Sequence, residues 1–444
     1  MRFLAEFGFG GCLADDMGLG KTVQVLALLA GQKRRSAPRK PTLLVVPKSV
    51  IFNWKAETAR FAPGITILDY TGTARPKAEL RSRTEDVWLT TYATMRQDIA
   101  VLKEIAFSYV ILDESQAIKN AASDTAKAVR LLRADHRLAL SGTPIENHIG
   151  ELKSLFDFLN PGLFGSAREM PLALGSGNSP LVARMVRPFL LRRTKARVAP
   201  ELPERIEQVI KVKLSPEERS VYNRVLLAAR AEVLDAVESK GLARSKLHVL
   251  TALLRLRQAA CHSRLVDPKS LDSGSKIHEL IDRLLQLKEE GNRALVFSQF
   301  TEFLGMVRKA LPPELPHLYL DGKTRDREAL VGKFQEASGP PVFLISLKAG
   351  GVGLNLTAAG YVFLLDPWWN PAVEAQAIDR AHRIGQKSSV IAYRLVAEDT
   401  IEEKILLLQE KKRNVFKSIV AEDGAGDESL LRSLTREDLE AILS

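Results

Sequence analysis

Cysteine is scarce in this chain: only Cys12 and Cys261 occur among its 444 residues. Two cysteines are too few for a disulfide framework, and no Cys/His cluster has the spacing of zinc ligands, which argues against a structural metal. No run of about 18 apolar residues is present that would span a bilayer. The start, MRFLAEFGFGG, lacks the ordered charged and apolar regions of a signal peptide. We therefore expect a cytoplasmic protein without a membrane partner.

The overall composition, 45% hydrophobic and 26% charged, is typical of a soluble globular protein, and the length suggests two or three domains. The net charge of +11 and the isoelectric point near 9.5 favour polyanionic partners. Neutralising phosphates releases counterions from nucleic acid, which drives such binding. Solvated lysine faces give a protein the same charge, so the motifs must decide whether nucleic acid is the partner.

A glycine-rich segment, GCLADDMGLGKTVQVLALLA, occupies residues 11–30. A short apolar strand ending near Ala14 leads to a turn with Gly18 and Gly20, and a helix is predicted to begin around Lys21. This layout wraps backbone N–H groups around phosphates. We expect the Lys21 ammonium to neutralise the β- and γ-phosphates of ATP.

The next residue, Thr22, is expected to hold Mg²⁺ through its hydroxyl. The strict phosphate-loop pattern has glycine where this chain has Asp15. An ordinary glycine-rich turn is the alternative, although Gly-Lys-Thr at a helix start is hard to explain by packing alone. The predicted nucleotide-binding residues of this segment are Asp16, Gly18, Leu19, Gly20, Lys21 and Thr22.

An acidic pair follows the apolar run Tyr109–Leu112 in the segment FSYVILDESQAIKN. The run predicts a strand buried on both faces, so Asp113 and Glu114 fall at its carboxyl end, where open α/β sheets bind ligands. Asp113 is predicted to hold Mg²⁺, and Glu114 to orient and deprotonate the attacking water. Without a phosphate loop upstream, a solvated loop or a helix cap would be the preferred interpretation.

A third segment, LALSGTPIENHIGEL, again runs from apolar residues into a polar turn at residues 138–152. Ser141, Thr143 and Asn147 carry hydroxyl and amide groups suited to sensing a phosphate or relaying a change to a neighbouring surface. Alone, the segment is equally compatible with a simple turn and a helix cap. Its position after the other two motifs favours the functional interpretation.

These elements in series resemble the core of superfamily-two helicases, and their details resemble the Swi/Snf-type DNA-dependent ATPases, the double-strand DNA translocases that include chromatin remodellers. The resemblance covers nearly all of the chain, and aspartate is usual at the position of Asp15 in that family. Its motifs are, in order, LADDMGLGKT, LLVVPKSVIFNW, LTTYATM, DESQAIKN, LSGTPIEN, LLRRTKARV, RALVFSQFT, LDGKT, SLKAGGVGLNLTAA, LLDPWWNP and QAIDRAHRIGQ.

The resemblance implies an α/β fold with two RecA-like P-loop lobes, each a parallel sheet flanked by helices, and a helical insertion between them. It implies a motor that uses ATP and Mg²⁺ to translocate on double-stranded DNA and to remodel protein–DNA complexes. The expected partners are DNA and DNA-bound proteins, and the expected form is a monomer in a bacterial-type, nucleoid-associated setting. We predict boundaries at 1–190 for the first lobe, 191–275 for the linker and insertion, and 276–444 for the second lobe.

The insertion is predicted from the segment SPEERSVYNRVLLAARAEVLDAVESKG, which has a helical period. Ser215 is its expected N-cap, Pro216 its first residue and Gly241 its terminator. A second helix, LHVLTALLRLRQAAC, follows. A basic cluster lies in the predicted linker, where the family's brace elements sit, and a solvated charge run is the alternative. Its residues are Arg192, Arg193, Lys195 and Arg197.

The stretch AQAIDRAHRIGQ, residues 375–386, supplies the candidate residues of the second lobe. If it is helical, Gln376, Arg380 and Arg383 stack on one face of a helix that Asn370 caps. The resemblance implies that Arg380 and Arg383 are arginine fingers that stabilise charge on the γ-phosphate of ATP. It also adds Gly351 to the nucleotide site. The predicted catalytic residues of the whole chain are Lys21, Asp113, Glu114, Gln376, Arg380 and Arg383.

DNA contacts are carried over from the family's strand-tracking motifs, and we expect mostly phosphate contacts, which position a motor without sequence readout. Core packing is at least as well supported as DNA contact for Trp54, Trp368 and Trp369. The predicted DNA-binding residues are Lys48, Ser49, Asn53 and Trp54 in the first lobe, and Ser298, Gln299, Lys348 and Asn355 in the second.

Two departures from the family pattern matter. Only 17 residues precede Gly18 and none is Gln, so the glutamine-bearing segment that contacts adenine is missing, and we expect the chain to be amino-terminally truncated. Ser115 and Gln116 stand where many relatives have Ala and His. An RNA or single-strand helicase is the alternative enzyme, which DPWWNP and the insertion argue against. A DNA-binding scaffold that no longer hydrolyses ATP is the alternative that the truncation leaves open.

Overall fold

The computed structural model describes residues 1–33, 40–142, 149–164, 184–240, 242–350, 354–369, 371–407 and 409. The chain divides into two compact units, Met1–Pro200 and Glu201–Ser444. The finer division at 1–190, 191–275 and 276–444 stays a prediction.

The first unit is built on a parallel sheet with the strand order β3-β4-β2-β5-β6-β1-β7. Its inner strands β2 and β4 are buried along their whole length, as expected for strands covered by helices on both faces. Because all the pairs are parallel, the carboxyl ends of β1, β6 and β5 meet at one edge. The strands are β1 (Gly11–Leu13), β2 (Thr42–Val46), β3 (Ile67–Asp69), β4 (Val87–Thr91), β5 (Ala106–Leu112), β6 (Arg133–Leu140) and β7 (Leu190–Leu191).

Polar side chains start two helices of this unit, since the hydroxyl of Thr91 accepts from the Thr94 N–H and that of Ser123 from the Ala126 N–H. The described α-helices are α1 (Arg2–Glu6), α2 (Lys21–Lys33), α3 (Ile51–Phe61), α4 (Tyr92–Gln97), α5 (Ile99–Leu102), α6 (Asp124–Leu131), α7 (Ile149–Leu159) and α8 (Lys195–Val198). Short 3₁₀ helices cover Lys48–Val50, Leu80–Ser82, Ser115–Ile118 and Arg187–Phe189.

The second unit has its own parallel sheet, with the strand order β10-β11-β9-β12-β13-β8. Strands β9 and β11 are buried throughout, whereas the edge strand β8 is largely accessible. The strands are β8 (Arg205–Val212), β9 (Ala294–Ser298), β10 (His317–Leu320), β11 (Val342–Ser346), β12 (Tyr361–Leu364) and β13 (Val390–Ala397).

Two long helices follow β8 and form a hairpin with its own apolar core, into which Trp369 packs. The hydroxyl of Ser215 accepts from the Glu218 N–H at 3.1 Å, while the Glu218 carboxylate accepts from the Ser215 N–H at 2.9 Å. This capping box confirms the predicted helix start, whereas Gly241 lies outside the described residues. The helices are α9 (Pro216–Lys240), α10 (Leu242–Cys261), α11 (Ser275–Glu289), α12 (Thr301–Ala310), α13 (Arg327–Gln335), α14 (Leu347–Gly350) and α15 (Pro371–Ile378), with a 3₁₀ turn at Ser263–Leu265.

A fully buried ion pair lies at the carboxyl ends of β12 and β13. The ammonium of Lys276 is 2.6 Å from the Glu402 carboxylate and also donates to the carbonyls of Leu365 and Leu395. The Ala397 N–H donates to the same carboxylate. Because every partner is engaged, removing one member would leave a buried charge uncompensated, at a cost of about 3–5 kcal/mol.

The predicted fold class is confirmed: each unit is a parallel sheet flanked by helices, and a helical pair follows the first strand of the second sheet. The predicted helix start at Lys21 and the predicted strand Tyr109–Leu112 are confirmed by α2 and β5. Across the described ranges, no helix combines the length and the apolar character that crossing a bilayer requires.

Candidate active site

The loop between β1 and α2 has the backbone that a phosphate-binding loop requires. Gly18 and Gly20 have φ angles of 87° and 73°, in the left-handed region that glycine adopts without a steric penalty. The helix begins directly after Gly20, so its amino-terminal peptide groups and the positive end of its dipole face the loop. Thr22 is half-buried in the first turn of this helix.

Lys21 donates from Nζ to the carbonyl oxygens of Asp15, at 2.6 Å, and Asp16, at 3.3 Å. The ammonium is therefore folded over the loop that precedes it. A flexible lysine in this position can exchange carbonyl partners for phosphate oxygens, which carry full negative charge. The donor set of ammonium, hydroxyl and loop N–H groups fits the phosphates of a nucleotide with Mg²⁺.

Asp15, the residue that departs from the strict glycine pattern, is fully buried and does not line the loop as a free carboxylate. Its Oδ1 accepts from the backbone N–H and Nε of Arg193, and its Oδ2 accepts from Nη2 of Arg193 at 2.5 Å. Nε2 of Gln24 also donates to Oδ2, at 3.2 Å. Arg193 belongs to the basic cluster for which a solvated charge run was the alternative, and that alternative is wrong for this residue.

Asp113 and Glu114 follow β5 at the same sheet edge as the phosphate loop. Oδ2 of Asp113 accepts from the indole Nε1 of Trp54 at 2.8 Å, and its Oδ1 accepts from the Glu114 N–H at 2.9 Å. Burial and the adjacent Glu114 carboxylate raise the pKa of Asp113 to about 7, while the Trp54 hydrogen bond and the Lys21 ammonium oppose this rise. A cation at this carboxylate would restore its ionised form, because it offsets the cost of burying the charge as well as the repulsion from Glu114.

Glu114 has a φ angle of 52°, a left-handed conformation that is uncommon for a residue with a side chain. Nε2 of Gln116 donates to the Glu114 carboxylate at 2.7 Å, and Oε1 of Gln116 accepts from the Ser141 hydroxyl at 3.4 Å. Gln116, which stands where many relatives have His, therefore joins Glu114 of the acidic pair to Ser141 of the third motif. An amide that bridges two groups fixes their orientation without titrating.

The third motif also lies against the phosphate loop. The Ser141 N–H donates to the Leu13 carbonyl at the end of β1. A Cβ added at Gly142 would lie 2.8 Å from the side chain of Met17, so the turn after β6 touches the loop. The three predicted motifs are thus adjacent in the first unit, whereas Thr143 and Asn147 lie outside the described residues.

The predicted DNA contacts of the first unit divide by exposure. Lys48 is exposed, Ser49 is half-buried, and half-buried Asn53 donates to the Glu57 carboxylate at 3.0 Å. Trp54 is only 1% exposed. An indole enclosed by the core and bonded to Asp113 favours the core-packing alternative for Trp54, and its DNA contact stays a prediction.

In the second unit, Lys348 and Asn355 are exposed and Gln299 is half-buried. The Gln299 N–H donates to both oxygens of the Asp366 carboxylate, at 3.2 and 3.3 Å. Ser298 has no exposed surface, and its hydroxyl accepts from the Phe300 N–H. The side chain is enclosed at the end of β9 in this structure, and its DNA contact stays a prediction.

The predicted helix over residues 375–386 is confirmed only as far as Ile378, where α15 ends, and is wrong for residues 379–386. The carbonyl of Arg380 accepts from the Leu356 N–H at 2.9 Å, a tertiary bond that replaces a helical one. Nε2 of Gln386 donates to three carbonyls, those of Thr357, Ala359 and Ala381, which fixes the following turn. These contacts stabilise a loop over residues 379–386 in place of further helical turns.

Consequently Arg380 and Arg383 lie on a loop, while Gln376 remains on α15. Arg380 is 5% exposed, and Arg383 donates from Nη1 to the Leu354 carbonyl at 3.2 Å. Their action as arginine fingers stays a prediction. Gly351 and Asn370 lie outside the described residues.

Sequence analysis missed Arg257, which organises the DPWW loop from helix α10. Its Nη2 donates to the Pro367 carbonyl at 2.7 Å, and its guanidinium lies over the rings of Trp368 and Trp369, 5.1 and 5.8 Å from their centroids. It also pairs with Asp366 at 3.8 Å. The available signal was an arginine within the apolar stripe of a predicted helix. The contacts of its guanidinium with both rings support core packing for Trp368 and Trp369.

Within the described parts of the chain, no group of three or more His, Cys, Asp or Glu side chains is placed to hold a metal ion. Mg²⁺ that accompanies a nucleotide needs fewer protein ligands, because phosphates and water complete its octahedron. The Thr22 hydroxyl and the Asp113 carboxylate fit this smaller requirement.

Comparison with known proteins agrees with this geometry. A model of the SNF2-related domain matches residues 3–265, and one of the helicase conserved C-terminal domain matches residues 275–385. The chain is 36% identical to the putative ATP-dependent helicase/translocase YwqA of Bacillus subtilis, over 100% of this chain and 50% of the relative. It is 35% identical to an uncharacterized ATP-dependent helicase of Mycoplasma genitalium, over 99% of this chain and 42% of the relative.

A human relative, SWI/SNF-related matrix-associated actin-dependent regulator of chromatin subfamily A member 1, is 35% identical over 98% of this chain and 44% of its own length. A solved structure, the Sulfolobus solfataricus SWI2/SNF2 ATPase core in complex with double-stranded DNA, is 33% identical over 100% of this chain and 94% of that one, with a TM-score of 0.45. The chain spans half or less of the length of the curated relatives named here. Because the SNF2-related model matches more than half of its residues, this chain belongs to the SNF2-related family.

Proposed function

We propose that this chain is an ATP-dependent motor that hydrolyses ATP and moves on double-stranded DNA, and that it thereby remodels protein–DNA complexes. The observation that carries the proposal is the meeting of the Lys21 loop and the Asp113–Glu114 pair at one edge of a parallel sheet. Phosphate binding and water activation require these groups side by side. Membership of the SNF2-related family supports the same reaction.

In this proposal, Lys21 moves from the Asp15 carbonyl to the β- and γ-phosphates, and the N–H groups of the loop hold the remaining phosphate oxygens. Thr22 and Asp113 would hold Mg²⁺. Bound Mg²⁺ would offset negative charge on the phosphates. The hydrogen bond from Trp54 holds Oδ2 of the Asp113 carboxylate in place.

Glu114 orients the attacking water and accepts its proton. Gln116 holds one Glu114 oxygen in place through a 2.7 Å hydrogen bond, so the carboxylate meets the water in one orientation. Because Gln116 also contacts Ser141, a displacement of the third motif would move Gln116 and with it the Glu114 carboxylate.

Arg380 and Arg383 are proposed as arginine fingers, with Gln376 as their neighbour on α15. Guanidinium groups that stabilise charge in phosphoryl transfer are worth roughly 10³–10⁵ in rate. Their loop is held within the second unit by the bond from the Leu356 N–H to the Arg380 carbonyl and by the Gln386 amide.

For DNA, we propose contacts from accessible side chains to backbone phosphates. Such contacts give affinity that falls steeply with salt and little sequence preference. Lys48 and Lys348 carry the positive charge, one in each unit, and the amides offer hydrogen bonds to phosphate oxygens. The proposed residues are Lys48, Ser49, Asn53, Gln299, Lys348 and Asn355.

The test is steady-state ATP hydrolysis by the purified chain, alone and with double-stranded DNA, single-stranded DNA or RNA. We expect strong stimulation by duplex DNA, and no turnover by a Lys21→Ala control under any condition. Stimulation only by single-stranded DNA or RNA would contradict the proposed translocase and favour a helicase that acts on those strands. ATP binding without turnover on any nucleic acid would favour the DNA-binding scaffold.

A further inference from the structure

Asp15 is a fully buried carboxylate at the base of the phosphate loop, in the position where the strict pattern has glycine. Burying an ionised carboxylate costs several kcal/mol unless opposite charge and hydrogen bonds compensate it. The segment that follows β7 provides a fork-shaped partner from a distant part of the chain. This partner is Arg193, 178 positions further along.

Arg193 makes three hydrogen bonds to the Asp15 carboxylate, from its backbone N–H, Nε and Nη2, at 3.0, 3.1 and 2.5 Å. Nη2 also donates to Oε1 of Gln24 at 2.6 Å, and Nε2 of Gln24 donates in turn to the Asp15 carboxylate. The hydrogen bonds to Asp15 raise the pKa of the Arg193 guanidinium. A lysine cannot reproduce this planar fork, although it carries the same charge.

The backbone around Arg193 runs beside the phosphate loop beyond the end of β7. The Ala14 N–H donates to the Leu191 carbonyl at 2.7 Å, and the Asp16 N–H donates to the Arg193 carbonyl at 3.0 Å. The Lys195 N–H donates to the Asp16 carboxylate at 2.9 Å. Residues 14–16 are therefore held from outside the loop by main-chain and side-chain bonds together.

The Asp15 carbonyl accepts the 2.6 Å hydrogen bond from Lys21, so the same residue that Arg193 holds also holds the phosphate-binding ammonium. Rotation of the Asp15 peptide would move this carbonyl and with it the resting place of Lys21. The carboxylate bond to Arg193 opposes that rotation, because the side chain and the carbonyl share one residue.

We propose that Arg193 is a positioning residue of the nucleotide site: through Asp15 it fixes the peptide to which Lys21 bonds and so sets the affinity of the phosphate loop for nucleotide. The inference rests on the proposed nucleotide site at Lys21. Arg193 contacts no reacting atom in this account, and it acts through the loop alone.

The test compares Arg193→Gln, Arg193→Lys and Arg193→Gln combined with Asp15→Asn against Arg197→Gln, which removes an equal charge from an exposed position in the same segment. The measured quantity is the equilibrium Kd for Mg²⁺ and a fluorescent ATP analogue, at a temperature where circular dichroism shows every variant folded. DNA affinity at fixed salt is measured beside it.

We expect Arg193→Gln to raise the nucleotide Kd roughly tenfold or more, as is typical when a residue that orients a ligand-contacting group is removed. Arg193→Lys should recover only part of this loss, since it lacks the fork. The double variant should bind nucleotide more tightly than Arg193→Gln alone, because no buried charge is left uncompensated. Arg197→Gln should keep the nucleotide Kd of the unmodified chain, and DNA affinity should change equally in both single Gln variants.

A nucleotide Kd for Arg193→Gln within about twofold of the unmodified chain would overturn the inference and leave the proposed function standing. So would full recovery in Arg193→Lys, because charge alone would then be sufficient. If the unmodified chain itself bound no nucleotide, the proposed function and this inference would both fail. Nucleotide binding by the unmodified chain therefore distinguishes a failure of the proposed function from a failure of this inference alone.

Discussion

Trp54 and Asp113 are joined by a 2.8 Å hydrogen bond from the indole Nε1 to the carboxylate Oδ2. Trp54 lies on α3, the helix that also carries the proposed DNA contact Asn53 and follows Lys48 and Ser49. Asp113 is the proposed Mg²⁺ ligand. One buried side chain thus links the segment proposed to follow DNA with the carboxylate proposed to hold the metal.

Replacing Trp54 by Phe should weaken nucleotide use while leaving most of the packing intact. Loss of the hydrogen bond removes a group that orients the Asp113 carboxylate and opposes the rise in its pKa. We expect the KM for Mg²⁺–ATP to rise by roughly tenfold, the effect typical of losing a bond to a metal-ligating group. The measurement is steady-state hydrolysis over a range of Mg²⁺–ATP concentrations, with DNA affinity recorded at fixed salt.

Trp88→Phe is the matched control for Trp54→Phe. Trp88 is equally buried, but its ring packs edge-on against Phe107 in the core of the same unit. The control should lower thermal stability to a similar degree without raising the KM. Equal KM values in both variants would remove the proposed role of the Trp54–Asp113 bond.

Gln116→Ala should uncouple Glu114 from the third motif. The variant loses the 2.7 Å bond that orients the general base and the 3.4 Å contact to the Ser141 hydroxyl. We expect kcat to fall by roughly 10- to 100-fold with little change in nucleotide Kd, since the hydrogen bonds described for the Gln116 side chain run to Glu114 and Ser141 rather than to the Lys21 loop. A stopped-flow measurement of a single turnover separates the chemical step from binding, and an unchanged chemical rate would contradict the role of Gln116.

Arg383→Ala should leave nucleotide binding to the first unit intact and lower kcat by a factor on the order of 10³, the effect of losing an arginine finger. Its comparison is Arg327→Ala, at a half-buried position that opens α13 in the same unit. Equilibrium nucleotide binding and steady-state hydrolysis should be measured on both. A kcat for Arg383→Ala equal to that of the comparison variant would eliminate Arg383 as a finger.

Acid sensitivity of the first unit should depend on Asp98. Burial alone would raise the pKa of this carboxyl, but hydrogen bonds from Arg75, Lys77 and Tyr70 outweigh burial and lower the pKa to about 2. The folded state therefore binds fewer protons than the unfolded state between the two pKa values. The stabilisation is present above the unfolded pKa of about 4 and is lost as the pH falls toward 2.

The Asp98→Asn variant should be less stable near pH 7 by on the order of 1–2 kcal/mol, and its stability should vary less with pH between about 5 and 2. Urea unfolding at a series of pH values measures this. Asp135→Asn, which removes a partner of exposed Lys40, should change the free energy of unfolding by less than about 1 kcal/mol. Parallel pH curves for Asp98→Asn and the unmodified chain would contradict the assignment.

The parts of the site that the sequence predicts are those encoded by local patterns. Glycines at the loop, an apolar run before Asp113 and the helix start at Lys21 each follow from neighbouring residues, and the structure has them in the expected elements. Parallel strands then bring the motifs to one edge without any further information, because their carboxyl ends coincide.

The parts that could not be predicted depend on partners far along the chain. Nothing near Asp15 indicates that its charge is met by Arg193, and nothing near Trp54 indicates a bond to Asp113. The early end of α15 has the same origin. Helical spacing continues in the residues, but the Arg380 carbonyl bonds to the Leu356 N–H, and a period cannot anticipate such a competing partner.

The most direct test of the central claim is Glu114→Gln, assayed for both nucleotide binding and turnover with duplex DNA present. An amide keeps the size and the hydrogen bond to Gln116 but cannot accept a proton from water, so we expect an unchanged nucleotide Kd and no measurable hydrolysis. Near-normal hydrolysis by this variant would contradict the assignment of Glu114 as the base and, with it, the proposed active site.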